Sequence, residues 1–191
     1  MALTDKSGDS AIVEYIAGKP VVNHNRNYTI MTNQPSFDKQ QENLRQYQGF
    51  GGTKPLPGST EPTDRFVRAA YYMKLSAKPH DYREALAGVL SIARAASQPF
   101  RVSGDPKHPY AGATIWTSLA DSTFGSYYLA MATSPFIVWA SFADFNLEPG
   151  APVMKLDLRN NPDYHGNTAK QFVKADLAEL EAEGAKSDVR R

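Results

Sequence analysis

The stretch Ser10-Ala11-Ile12-Val13-Glu14-Tyr15-Ile16, continued by Ala17-Gly18-Lys19-Pro20-Val21-Val22-Asn23, reads as a pair of short strands. In the first, Ile12, Glu14 and Ile16 share one face while Val13 and Tyr15 share the other, the two-residue period of a half-buried strand. Gly18-Lys19-Pro20 turns the chain into a second strand over Lys19–Asn23. The polar run Asn23 to Asn27 turns it again into a third over Tyr28–Thr32. Connections this short favour antiparallel pairing, since a parallel crossover consumes about a dozen residues or more.

Outward from these strands the period changes. Phe37, Gln41, Leu44 and Tyr47 fall at helical spacing and predict a surface helix over Phe37–Tyr47. Gly49 to Ser59, with Gly51-Gly52 and Pro55-Leu56-Pro57-Gly58, predicts a loop. Two helices follow, over Glu61–Leu75 and Asp81–Ser97. The second has Asp81 three residues before Glu84, close to a capping box, and an apolar stripe of Leu86, Val89, Leu90, Ala93 and Ala96. Strands return over Ala113–Leu119, Ser126–Ala132, Phe136–Phe142 and Val153–Leu158, spaced as in a meander. A last helix is predicted over Thr168–Glu183, with Asn167 as its cap, Val173, Leu177 and Leu180 inward and Gly184 as its stop. Strands, then helices, then strands, then a helix give a layered α+β fold and not alternating parallel units. No repeat or linker divides the 191 residues, so one domain over 1–191 is expected.

Composition excludes several functions. The 21 basic and 20 acidic residues leave a formal charge of +1, spread along the chain, which argues against a nucleic-acid or membrane-surface footprint. No run approaches the roughly 20 apolar residues of a spanning helix. Met1 to Ser10 lacks the basic start and apolar run of a secretory signal, so the chain carries no compartment signal of its own. With no cysteine, disulfides, thiolate metal sites and cysteine catalysis by these residues alone are excluded. His24, His80, His108 and His165 stand in turns or loops without the spacing of a metal pair, so no metal site is expected. Gly49-Phe50-Gly51-Gly52 lacks the lysine and hydroxyl residue of a phosphate loop, and no Gly-x-Ser-x-Gly elbow is present.

Four motifs occur in order: Met31-Thr32-Asn33-Gln34-Pro35-Ser36-Phe37-Asp38, Asn43-Leu44-Arg45-x-Tyr47, Leu56-Pro57-Gly58-Ser59, and Asp64-Arg65-Phe66-Val67-Arg68-Ala69-Ala70-Tyr71-Tyr72. The series resembles the penicillin V acylase and choloylglycine hydrolase family of linear amide carbon–nitrogen hydrolases. Ser7 to Tyr15 and the later strands with Trp139 extend the resemblance over nearly the whole chain.

The resemblance implies an N-terminal-nucleophile hydrolase fold, two antiparallel sheets between helical layers, of which this chain would be the C-terminal portion with the N-terminal half missing. It implies a cysteine nucleophile at the mature N-terminus, its own amine taking the proton, and no cofactor. Asn33 matches the family asparagine that holds the oxyanion, and Arg65 the arginine beside the nucleophile. On the residues alone, Asn33 is equally a turn residue before Pro35. Arg65 is equally a surface arginine paired with Asp64 or Glu61, with Arg68 exposed. Tyr47, Phe50 and Tyr71 are candidates for an acyl pocket, or ordinary packing. The implied substrates are N-acylated amides such as penicillin V, conjugated bile acids or acyl-homoserine lactones, with this chain inactive alone because the nucleophile is absent. The alternative is a non-catalytic acyl-binding relative, or a subunit that completes its fold with a complementing chain or as a homo-oligomer.

Overall fold

The computed structural model describes residues 1–100, 113–176 and 178. Its chain clusters into two compact units, Met1–Thr117 and Ser118–Arg191.

In the first unit the expected hairpin forms. Strands β2 (Ser10–Ile16) and β3 (Lys19–His24) pair antiparallel, with Ile16 opposite Lys19 and Val13 opposite Val22. A strand that polarity concealed, β1 (Ala2–Thr4), lies on the other side of β2, giving the order β1-β2-β3. The predicted third strand, Tyr28–Thr32, does not form: its residues join no ladder. Alternation supplies faces but no neighbour, and this segment turns Tyr28, Ile30 and Met31 onto the helices. Its carbonyl at Tyr28 accepts from the Ser10 hydroxyl at 2.7 Å.

Helix α1 (Phe37–Leu44) is shorter than predicted and is no surface helix: Phe37, Gln40 and Leu44 are buried. Its first amide, on Phe37, donates to both carboxylate oxygens of Glu14 on β2, each at 3.0 Å. One of the four orphan donors of the helix start is thereby satisfied from outside the helix. Helix α2 (Pro62–Leu75) opens on proline, whose missing amide is no loss at that position. Phe66, Val67 and Ala69 are its buried residues, and Met73 is exposed. The core of this unit is Ile12, Phe37, Leu44, Phe66 and Val67, with Tyr28–Phe37 rings 4.7 Å and Phe37–Phe66 rings 6.2 Å apart, both edge-on.

Helix α3 (Tyr82–Ala95) begins as predicted. The Asp81 side chain accepts from the Glu84 amide at 2.9 Å, while the Glu84 carboxylate reaches back to the His80 amide at 2.8 Å, one residue before the cap. Replacing Asp81 by alanine should cost about 1 kcal/mol, read as a lower midpoint in thermal unfolding. The predicted apolar stripe of α3 exists but buries no residue, and Val89 is half-exposed.

Between α1 and α2 the loop folds back on itself: the Lys54 amide donates to the Gln46 carbonyl at 3.0 Å and the Gln48 amide to the Lys54 carbonyl at 2.9 Å. Gly52 lies so close that a Cβ there would stand 2.1 Å from the Gln46 carbonyl carbon and oxygen. Since both are backbone atoms, Gly52→Ala is expected to cost about 3 kcal/mol, the upper end of overpacking, read by urea unfolding.

A sheet that lies in the second unit from Ser118 onward has the order β4-β5-β6-β8, from β4 (Trp116–Asp121), β5 (Ser126–Met131), β6 (Ile137–Ser141) and β8 (Gly166–Asn167). β5 and β6 are antiparallel, as a meander requires, whereas β6 and β8 are parallel. β7 (Met154–Lys155) and β9 (Val173–Lys174) form a separate ribbon. Two expectations are corrected here. The strand predicted over Val153–Leu158 shrinks to the two residues that find a partner. The helix predicted from Thr168 gives way to a single 3-10 turn, Ala169–Gln171, and then to β9, because Val173 and Lys174 pair with Lys155 and Met154. The cap position of that turn falls to Thr168 and not to Asn167, whose Oδ1 accepts from the Ala169 amide at 2.9 Å. Leu177, residues 179–183 of that predicted helix and its stop at Gly184, together with residues 101–112, lie outside the described residues. The α+β class holds, with antiparallel and mixed sheets beside helices.

Candidate active site

Asn33 follows the extended segment Tyr28–Thr32, and Arg65 lies one turn into α2. The structure brings them together: the Arg65 Nη2 donates to the Asn33 Oδ1 at 2.8 Å. A guanidinium can only donate, so the amide oxygen must face it and the Asn33 Nδ2 donor points elsewhere. The Arg65 Nε donates to the Thr60 carbonyl at 3.1 Å, so one planar group holds both its own helix start and the asparagine. Thr60 is held from a second side by the Gln98 side chain at 3.1 Å.

Burial, with Arg68 on the next turn, holds the Arg65 guanidinium below its usual value, while Glu61 opposes the shift. It remains a cation in any protein setting. Asn33 itself is exposed.

Arg68 is not the exposed partner the sequence suggested. Its Nη1 donates to the carbonyls of Ser59 at 2.6 Å and Pro57 at 3.4 Å, and its Nε to that of Ala95 at 3.0 Å. Two carbonyls from the segment before α2 and one from the last residue of α3 replace solvent, which a helix periodicity cannot reveal.

Tyr47 and Phe50 pack against the core cluster. Burial and the Asp64 carboxylate push the Tyr47 hydroxyl up. Lys54 and Lys74 place their ammonium groups 5.7 Å and 5.1 Å from the ring centres of Tyr47 and Phe50. Tyr71 meets Tyr72 edge-on at 5.7 Å. Sequence reasoning passed over Thr32 and Gln40, polar residues next to the asparagine in space; the polarity of Gln40 on an otherwise apolar helix face was the available signal.

No three histidine, aspartate or glutamate side chains gather as a metal site among the described residues. His24 pairs with Asp9 at 2.9 Å, His80 with Glu84 at 2.7 Å, and His165 contacts the Asp163 carbonyl at 3.0 Å; His108 lies outside the described residues. No described helix is long and apolar enough to cross a membrane. In the second unit an open apolar cleft of about 700 Å³ is lined by Tyr127, Leu129, Trp139, Phe142, Phe145 and Met154 among others.

The two residues that the motif series singled out, Asn33 and Arg65, are thus hydrogen-bonded to each other on an α+β scaffold. The chain belongs to the linear amide C–N hydrolases, choloylglycine hydrolase family, whose pattern it matches over residues 1–163. It is 37% identical over 190 aligned residues to a penicillin V acylase of Pectobacterium atrosepticum, covering 92% of this chain and 50% of that protein. Among solved structures it is similar to penicillin V acylase from Agrobacterium tumefaciens, with a TM-score of 0.82, 36% identity, and coverage of 92% of this chain and 56% of the other. A C2A mutant of the conjugated bile acid hydrolase from Clostridium perfringens shares the fold, with a TM-score of 0.58, 23% identity, and coverage of 74% and 49%. The chain therefore spans about half the length of the relatives it matches.

Proposed function

We propose that these residues form one part of an amidase site that cleaves the linear amide of N-acylated substrates, with penicillin V the first candidate. The carrying observation is the 2.8 Å bond from Arg65 to the Asn33 Oδ1. In this reading the Asn33 Nδ2 donates to the oxygen that becomes negative when a thiolate attacks the amide carbonyl. Arg65 holds the asparagine in place and adds a fixed positive charge. The attacking sulfur comes from polypeptide other than these 191 residues, which contain no cysteine. The match over 1–163 supports reading both compact units as parts of one αββα sandwich domain. The contacts of Tyr47 and Phe50 favour a supporting part for both rings, behind the site and not against the acyl group.

Two assays test this. The 191-residue chain alone is expected to hydrolyse phenoxymethylpenicillin no faster than its Asn33→Ala variant. Co-expressed with the portion of the Pectobacterium acylase that it does not cover, it is expected to turn the substrate over. Turnover by the isolated chain contradicts the missing-nucleophile reading, and a soluble assembly inert toward every N-acyl amide tried contradicts the amidase reading.

The second reading, a non-catalytic chain that binds an acyl ligand or completes its fold with a complementing or second identical chain, is favoured by the apolar cleft of the second unit. Among the described residues of that unit only Val138, Thr168 and Ala175 are buried, while Phe124, Phe142 and Leu147 are largely exposed. Apolar surface on that scale marks a binding or assembly face. Sedimentation of the purified chain separates a monomer from an obligate assembly.

A further inference from the structure

Asn33 is exposed and sits in a segment with no ladder, yet its side chain meets Arg65 in one geometry. Something other than regular structure must aim it. The residues on either side of it are gripped by a single side chain: the Gln40 Nε2, from α1, donates to the Thr32 hydroxyl at 2.8 Å and to the Gln34 carbonyl at 2.7 Å. The Thr32 hydroxyl in turn donates to the carbonyl of Pro62, the first residue of α2, at 3.0 Å. Because Thr32 spends its only proton on Pro62, it can only accept from Gln40, and the Gln34 carbonyl can only accept. The amide orientation of Gln40 is therefore dictated by its partners.

Packing alone does not account for a glutamine here. Gln40 is 1% exposed on a helix face it shares with Phe37 and Leu44, and its Oε1 has no hydrogen-bond partner among the described residues. A buried polar atom left unmatched is unfavourable, and leucine or methionine would fill the same space without it. The NH2 half must contribute what a hydrocarbon cannot.

We infer that Gln40 is a positioning residue for the amidase site: through Thr32 and Gln34 it holds the backbone of Asn33 against α2, so that the asparagine oxygen meets Arg65 and its NH2 faces the reacting carbonyl. This rests on the reading of Asn33 and Arg65 given above, but its test does not depend on turnover. In the 191-residue chain, Gln40→Met keeps volume and removes both donors. NMR of that variant is expected to shift the Asn33 side-chain NH2 signals and to lose the slowly exchanging Arg65 guanidinium protons, while signals of Ile12 and Phe66 stay in place. Thr32→Val, which breaks the same relay from its middle, is expected to reproduce both changes, and Thr32→Ser to restore the wild-type spectrum. If the methionine variant does not fold, the valine and serine pair carries the test. Unchanged Asn33 and Arg65 signals in folded Gln40→Met or in Thr32→Val overturn the inference, whether or not the assembled enzyme proves active.

Discussion

Phe66→Ala is expected to destabilise the first unit by about 3–5 kcal/mol, the range for removing a buried aromatic ring from a packed core. Phe66 is 1% exposed and sits among Ile12 from β2, Phe37 and Leu44 from α1, and its own neighbour Val67. The cavity left behind would be walled by three elements whose positions are fixed by other bonds, Phe37 by the Glu14 cap among them, so collapse around it is limited. A urea transition followed by near-ultraviolet circular dichroism reads the loss. Phe66→Leu should recover most of it, to within about 1.5 kcal/mol of wild type, since apolar replacements of similar volume are tolerated best. A loss under about 1 kcal/mol for the alanine variant would mean that this cluster is not the core of the unit.

The second large effect is on catalysis in the complemented assembly. Asn33→Ala is expected to lower kcat by about 10²–10³-fold with little change in KM, because a donor aimed at developing charge acts in the transition state and not in the bound substrate. Arg65→Lys should approach the same loss. An ammonium is a single point on a flexible stem and cannot hold both the Thr60 carbonyl and the Asn33 Oδ1, which the guanidinium holds at 3.1 Å and 2.8 Å. If Arg65 works through Asn33, the double variant should be little worse than either single one, since residues acting as a unit are not additive. Multiplicative losses would instead assign Arg65 a separate role, touching the reacting atoms on its own account.

What could be read from the residues, and what could not, follows the distance over which each feature is decided. The β2–β3 hairpin and the start of α3 were legible because a turn and a cap are settled within a few positions; Asp81 does bond to Glu84. The failures are all non-local. Tyr28–Thr32 has strand-like alternation but no neighbour to pair with, and the predicted C-terminal helix lost Val173 and Lys174 to partners some twenty residues earlier in the chain. Arg68 looked solvent-facing because its three carbonyl partners lie 9, 11 and 27 residues away. At the site the motifs pointed to Asn33 and Arg65, but the means of aiming them stayed hidden. The helical phase through Phe37, Gln41 and Leu44 does not include Gln40, whose acceptors on Thr32 and Gln34 no spacing reveals.

The Glu14 carboxylate at the first turn of α1 ties two choices into one. A slip of β2 by one residue would send Val13 or Tyr15 to that place and turn the acid to the opposite face, because side chains alternate along a strand. Neither an aliphatic nor a phenolic group can take the Phe37 amide as a two-oxygen acceptor does. A misregistered hairpin would thus forfeit the helix start as well as its own apolar face, so the helix acts as a proofreader of the sheet.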